Sequence, residues 1–466
     1  MCKAGKRSRR RQRARAKTVA QSIRDFLTPT GFKQVRKAAS RRKKPRWDIH
    51  PLVYVLLTMT WCCGDSLPEK FEAAKGFYVV CCPKRKRPGQ SFQGFEKALG
   101  KLPMPVLRTL AGVIRGRIEV LFDERLLFGG FIPLGCDGTR LECPRSEELE
   151  RRLGTFRKKG RNKKGCNKKG SDENGSAPMI WNTSIVHLTL GIPWCWWLGK
   201  GKKASERAHL IRMLPLLPRL ALLVTDAGYV GYDVVRTLLE SKVLFLMRMS
   251  SQATFYTENQ EPLERFEAGI AYYWPNSSRD QGKPPLRGRL ICVRSKKRKV
   301  DVWLFTNVED TSRLPRNLAS KPYRLRWENE GFFRTYKRTL GKVKLISRTV
   351  RLIHREAEAS MIATQLLLCQ GALAMPTTSF KDELPVMCSP RKVLLEIRRD
   401  INGRSRKGGS FTERIAKAQR ERRARQTTKE KRKWPRRKAH QPPKPPILLK
   451  MTSKLKAEVE QHLQAA

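Results

Sequence analysis

The stretch from Leu220 to Ser250 constrains the fold most. It reads LALLVTDAGY, then YDVVRTLLES, then VLFLMRMS. A short apolar run, a segment with apolar residues three and four apart, and a second apolar run predict a strand, a helix and a strand. Alternation of that kind needs a sheet with helices packed against it. Upstream, GGFIPLGCDG (129–138) reads as a strand ending at Asp137, and APMIWNTSIVHLTL (177–190) and IPWCWWLG (192–199) as two more, joined tightly at Gly191. A helix is expected from about Ser205 to Leu216. The expected class is α/β: a mixed sheet flanked by helices.

Between 251 and about 310 the rhythm changes. ATFYT, GIAYYW, RGRLICVRS and KVDVWLFTN are four candidate strands, with SKKRK as a basic hairpin tip, and they predict a β-rich insertion. Helical spacing governs residues 47–128, notably VYVLLTMTW and PVLRTLAGVIRGRIEVLF, and returns from about Arg355 to Leu373. The division expected is a basic arm over 1–46, a helical DNA-binding region over 47–128, a catalytic unit over 129–375 and a basic C-terminal region over 376–466.

Charge narrows the partner. Ninety-nine Lys and Arg against 41 Asp and Glu leave a formal +58, a field that favours polyanions through counterion release from phosphates. Nucleic acid is the expected partner. Residues 1–46 carry 18 basic residues and one acid, Asp25, and predict an arm that lies along phosphates or stays disordered. Residues 391–440 hold 20 basic residues against five acids and predict a second DNA-contacting region, ordered only in part. PLVYVLLTMTWCC (51–63) is too short to span a bilayer, and no apolar stretch follows the basic N-terminus closely enough for a signal peptide. A soluble cytoplasmic protein is expected. The 12 cysteines include the vicinal pairs Cys62-Cys63 and Cys81-Cys82 but no Cys-x-x-Cys, so they read as reduced thiols, with a zinc site built from the two pairs left open.

The chemistry centres on YRLRWENEGFFRTYKRTLGK (323–342). Read as one helix at ~100° per residue, Tyr323, Arg326, Glu330, Arg334 and Lys337 fall within about 80° of one another, while Leu325, Phe332, Phe333, Tyr336 and Leu340 gather elsewhere. Glu328 is turned about 160° from Glu330, so Glu330 alone belongs to the polar face. Arg326, Glu330 and Arg334 are also spaced as an exposed ion-pair ladder. Asp137 and Asp226 weigh against that simple account, because each ends an apolar strand where side chains project into a crevice beyond the sheet. Three converging carboxylates can hold two Mg²⁺ ions, which need hard oxygen ligands.

The spacing Tyr323, Arg326, Glu330, Lys337 resembles the Y-R-E-K signature of the insertion-sequence-four family of DDE transposases. CDGTRLE around Asp137 and TDAGYVGYD around Asp226 resemble the two aspartate strands of that family. The resemblance covers about residues 130–375. It implies an RNase H-like fold interrupted by a β-rich insertion. It implies a catalytic and metal-binding set of Asp137, Asp226 and Glu330 with two Mg²⁺ ions, for which Mn²⁺ can substitute. Tyr323, Arg326 and Lys337 are implied as ligands of the DNA end, and Arg334 joins them on the same face. The implied partners are double-stranded DNA, as terminal inverted repeats and target, and a second copy of the chain in a synaptic homodimer on the nucleoid. The implied activity is strand cleavage followed by strand transfer. Two other readings stand beside it: a catalytically inactive, transposase-derived DNA-binding protein or repressor, and an RNase H-like nuclease unrelated to transposition.

Smaller features are read more plainly. RKKGRNKKGCNKKG (157–170) is either a DNA-gripping loop or a solvated insert. Glu206, in a segment resembling the family, receives no catalytic role. Asp233 reads as an acid at a helix N-terminus, and His187 and His209 as structural.

Overall fold

The computed structural model describes residues 18–39, 47–154, 177–201, 204–258, 263, 265–294, 301–376, 386–403, 409–420 and 444–464. The basic run at 157–170 and the SKKRK tip lie outside the described residues.

Strands β1 (Ile132–Glu142), β2 (Met179–His187), β3 (Ile192–Lys200), β4 (Ala221–Thr225) and β5 (Leu244–Arg248) lie side by side in the order β3-β2-β1-β4-β5. Only β2 runs against the others: β1 pairs antiparallel with β2 and parallel with β4, and β4 is parallel to β5. This is the expected mixed sheet, and helices flank it. Gly191 makes the β2–β3 turn with φ +67, a left-handed conformation that glycine adopts without strain. One strand boundary differs from expectation. β1 does not end at Asp137, because antiparallel pairing with β2 continues to Glu142 and holds it extended.

The β-rich stretch extends the same sheet. β6 (Thr254–Thr257), β7 (Ala268–Tyr273), β8 (Leu286–Arg294) and β9 (Asp301–Thr306) form an antiparallel meander, and β9 joins it to β5. β10 (Ile447–Lys450) then lies parallel to β6 and completes ten strands among the described residues.

The helix Val350–Ala374 is buried almost all round from Ala357 to Ala372, as expected of a helix apolar on every side. It packs between β3 and the helix Met104–Phe122. Its polar groups find partners there: Trp196 donates from Nε1 to Glu358 Oε2 at 2.7 Å, and Gln365 Nε2 donates to the Pro193 carbonyl at 2.7 Å.

Residues 18–39, within the arm expected to lie along phosphates or stay disordered, form the helices Val19–Phe26 and Pro29–Ala38. Thr18 and Thr28 cap them, and Val19, Ile23, Phe26, Phe32 and Val35 are buried. The high local charge hides this apolar spacing: the cations sit on outward faces while the stripe packs on Met104–Phe122. Among the described residues no helix is long and apolar enough to cross a membrane.

The stretch 323–342 is not one helix. A helix Arg316–Leu325 ends, Arg326 and Trp327 form a break, Glu328–Arg334 is a second helix, and Thr335–Thr339 is a π turn. Pro322 supplies no backbone donor, and the Arg326 N–H is shared between the Pro322 and Tyr323 carbonyls, which tightens the last turn. The predicted polar face is corrected accordingly. Glu330 and Arg334 are exposed, whereas Arg326 is 7% exposed and Tyr323 and Lys337 are half-buried.

Candidate active site

Parallel register brings the two aspartates together. Gly135 of β1 is level with Val224 of β4, and Asp137 and Asp226 each follow two residues further on. Register partners in parallel strands point to the same side, and neighbouring strands run about 4.8 Å apart. β4 stops at Thr225 while β1 continues, so the aspartates sit where the sheet opens. Each carboxylate is steadied by backbone: Asp137 Oδ1 accepts from the Gly138 N–H at 2.8 Å, and Asp226 Oδ1 from the Gly228 N–H at 2.9 Å.

The helix Glu328–Arg334 packs over β1 and supplies the next wall. Asn329 points inward and Glu330 outward toward the opening. A Cβ at Gly135 would meet Asn329 Nδ2 at 2.6 Å, so the helix can approach β1 only because residue 135 lacks a side chain. Asn329 is fully buried, and both its amide atoms lack hydrogen-bond partners among the described residues.

Arg326, in the break, turns inward. Its Nη1 lies 4.0 Å from Asp226 Oδ2, and its guanidinium stands 5.0 Å from the Trp327 ring centroid and 6.0 Å from that of Tyr323. The expected ladder through Glu330 is therefore replaced. Arg326 serves Asp226, and Glu330 makes no ion pair among the described residues. The arginine Nε also lacks a partner there.

The charges act on one another. Burial raises the Asp137 carboxyl above its ordinary range; Asp226 and Glu330 raise it further, while the Gly138 N–H and Arg326 oppose the shift. Burial likewise raises Glu206, with Asp137 and Asp226 adding to it and Arg140 opposing. Four acids thus share one field.

Lys337, Arg334, His187 and His209 are the other residues singled out in the sequence. Lys337 sits in the π turn, and burial lowers its pKa. Arg334 lines a groove with Glu328, Arg391 and Arg420, where Arg420 Nη1 bonds Glu328 Oε2 at 2.7 Å. His187 and His209 are buried and hydrogen-bonded: His187 Nε2 donates to the Leu126 carbonyl at 3.0 Å, and His209 Nδ1 pairs with the Thr183 hydroxyl at 2.8 Å. Sequence reasoning overlooked Trp327 and Asn329 and gave Glu206 no catalytic role. Trp327, 57% exposed, was detectable as a large aromatic on a polar surface.

An all-oxygen donor set suits a hard divalent cation. The acids surround the space loosely: among the described residues no group of three or more His, Cys, Asp or Glu is closed up to hold a metal.

Residues 137–366 match a family model described as "Transposase DDE domain". No curated protein sequence matches the chain. Among solved structures, the fold is similar to one titled "Cryo-EM structure of piggyBac transposase synaptic complex with hairpin DNA (SNHP)", with TM-score 0.39 and 9% identity, covering 85% of this chain and 81% of that one. Similarity at that level carries no statement about chemistry. The family-model match supports a DDE transposase family for the stretch, residues 137–366, that holds all three predicted acids.

Proposed function

We propose that the protein is a DNA transposase that binds the ends of its element and catalyses divalent-cation-dependent strand cleavage and strand transfer. The observation that carries this reading is the shared field of Asp137, Asp226 and Glu330 at the open end of the sheet, within the matched stretch. Asp137, Asp226 and Glu330 hold the cations, with Mg²⁺ the expected species and Mn²⁺ a substitute. A cation bound there supplies Lewis-acid stabilisation of the phosphodiester and lowers the pKa of water.

The residues then divide the work. Arg326, itself buried, keeps the part-exposed Asp226 carboxylate oriented through a charge contact. Tyr323, Arg334 and Lys337 grip the DNA backbone beside the cut, Arg334 with a planar fork and Lys337 as a point charge. In cleavage, water attacks phosphorus and the P–O3′ bond breaks, leaving a 3′-OH and a 5′-phosphate. In transfer, that 3′-OH attacks a second phosphodiester, whose own 3′-oxygen leaves. The basic surface carries both duplexes, and pairing of two ends in a homodimer is the assembly this chemistry calls for.

The test uses the full chain with labelled DNA from the flanks of its own gene, with Mg²⁺ or with a chelator. Mg²⁺-dependent nicking at the boundary, lost in Asp137→Ala, Asp226→Ala and Glu330→Ala, is expected. Salt-sensitive binding with no nicking would replace the enzyme by a DNA-binding protein. Cutting without end preference or joining would replace it by a nuclease.

A further inference from the structure

A cavity of about 610 Å³ is walled by the helices Met104–Phe122, Glu147–Leu153 and Val350–Ala374 and by Leu198 of β3. Arg108, Arg152, Arg351 and Arg355 line it, drawn from all three helices. Arg108, Arg152 and Arg351 are exposed, and Arg108 is held with its guanidinium carbon 4.8 Å from the Trp197 ring centroid. None of the four forms an ion pair among the described residues. Arg355 is the buried member, 6% exposed, and its donors reach only neutral acceptors. Its Nε, at 2.9 Å, and its Nη2 donate to the Leu102 carbonyl, and its Nη1 donates to the Arg351 carbonyl at 2.7 Å. A buried guanidinium without a counter-charge carries a desolvation cost that carbonyl dipoles offset only in part. Burial, and after it the neighbouring Arg351, lowers the Arg355 pKa to about 10, the direction that crowded cations produce.

The two acids of the wall are engaged elsewhere. Glu148 Oε1 accepts from the Val350 N–H at 3.1 Å, and the buried Glu358 accepts from Trp196. Burial raises the Glu358 carboxyl above its ordinary range, with the Trp196 bond and Arg108 opposing. Four arginines against two acids leave the cavity positive, and its volume is that of a small-ligand site. Several planar forks can share one phosphate group, whose oxygens outnumber those of a carboxylate.

We infer that this cavity binds a phosphate group, with Arg108, Arg152 and Arg351 as its ligands and Arg355 as fixed positive charge in the wall. The phosphate has two possible sources, the backbone of a DNA duplex and a free polyphosphate. Leu198 is level with Asn182 of β2, and Asn182 with Thr139 of β1, two residues past Asp137. The wall is thus two strands from β1, about 10 Å across the sheet, within reach of a duplex lying over Asp137. Arg355 also has a simpler use, fastening the Leu102 turn to the long helix, and that use needs no ligand.

The experiment measures pyrophosphate binding to the full chain by calorimetry at constant ionic strength. It compares the native chain, Arg108→Gln with Arg351→Gln, and a control pair, Lys33→Gln with Lys97→Gln, which removes the same charge from exposed helix positions elsewhere. The arginine pair should weaken pyrophosphate by about 10-fold or more, and the control pair by less than about twofold. Equal weakening in the two pairs, or no binding by the native chain, would overturn the inference and leave only a general positive field. If the arginine pair does not fold, Arg152→Gln decides: unchanged pyrophosphate affinity rejects the site. Duplex binding over a salt series separates the sources. A DNA phosphate in the cavity makes pyrophosphate compete with duplex and lowers the slope of log K against log salt by about two more in the arginine pair than in the control. With a free polyphosphate as ligand, duplex binding in the two pairs is the same. Neither reading depends on cleavage, so failure of the proposed enzyme activity leaves this test intact.

Discussion

Arg326 Nη1 stands 4.0 Å from Asp226 Oδ2, although the two residues belong to elements separated by the whole meander. The arginine has left the face that uniform helical geometry assigns it, because the helix breaks at its position. A buried guanidinium near two aromatic rings cannot be exchanged for an ammonium without loss of its planar contacts. Arg326→Lys should retain only part of the cleavage rate, and Arg326→Ala should lose roughly 10- to 100-fold. Single-turnover cleavage at saturating Mg²⁺ measures this, and an Arg326→Ala chain as fast as native would remove Arg326 from the site.

Neutralising Asp137 should separate stability from activity. Its folded pKa is raised, so its contribution favours folding at low pH and is lost as pH rises through that value. At neutral pH the charged form is a burden without a cation. Asp137→Asn should therefore melt at or above the native temperature in chelator while cleaving at least about 100-fold more slowly. A lower cation-free midpoint would mean that the carboxylate is structural.

Arg334 and Lys337 should contribute to DNA affinity through charge. Each alanine variant is expected to weaken binding similarly for all sequences and to reduce the slope of log K against log salt by about one. Fluorescence anisotropy over a salt series reads both quantities. A slope equal to native would show that the residue touches no phosphate.

Acid should loosen the fold before the carboxylates titrate. Burial, first of all, lowers His187 to about 4, opposed by its contact with the Leu126 carbonyl; burial and Arg85 lower His50 to about 4. Both are neutral in the fold and protonate near 6.5 when unfolded. Their stabilisation is thus complete above about pH 6.5 and is lost as pH falls toward 4, by roughly 3 kcal/mol apiece. Urea midpoints at pH 7.5 and 5.0 should differ accordingly. His187→Gln, which keeps a donor for the Leu126 carbonyl, should flatten part of the slope, and an unchanged slope would exclude His187 as a source.

Much of the sheet was legible because its strands are apolar runs bounded by turn residues, and Asp137 and Asp226 stand out where those runs give way. What escaped depends on contacts distant in sequence. β1 passes Asp137 because β2 holds it. Arg326 turns inward where the hydrogen bonds tighten at the end of the helix Arg316–Leu325. Glu206 lies against β1 only because Gly138 has no side chain, and so no pattern to read. In residues 18–39 net charge outweighed a real apolar stripe, and a residue-by-residue helical reading would have found it.

The edge of the sheet has its own consequence. β10 covers the outer side of β6, and Met451 and Val459 close over Tyr256, Tyr272 and Trp274. A chain cut short before Ile447 would leave an unpaired strand beside three bare aromatic rings, the kind of surface that invites another copy to add a strand. Trimming the basic tail to improve handling should therefore produce self-association and loss of solubility rather than a tidier core enzyme.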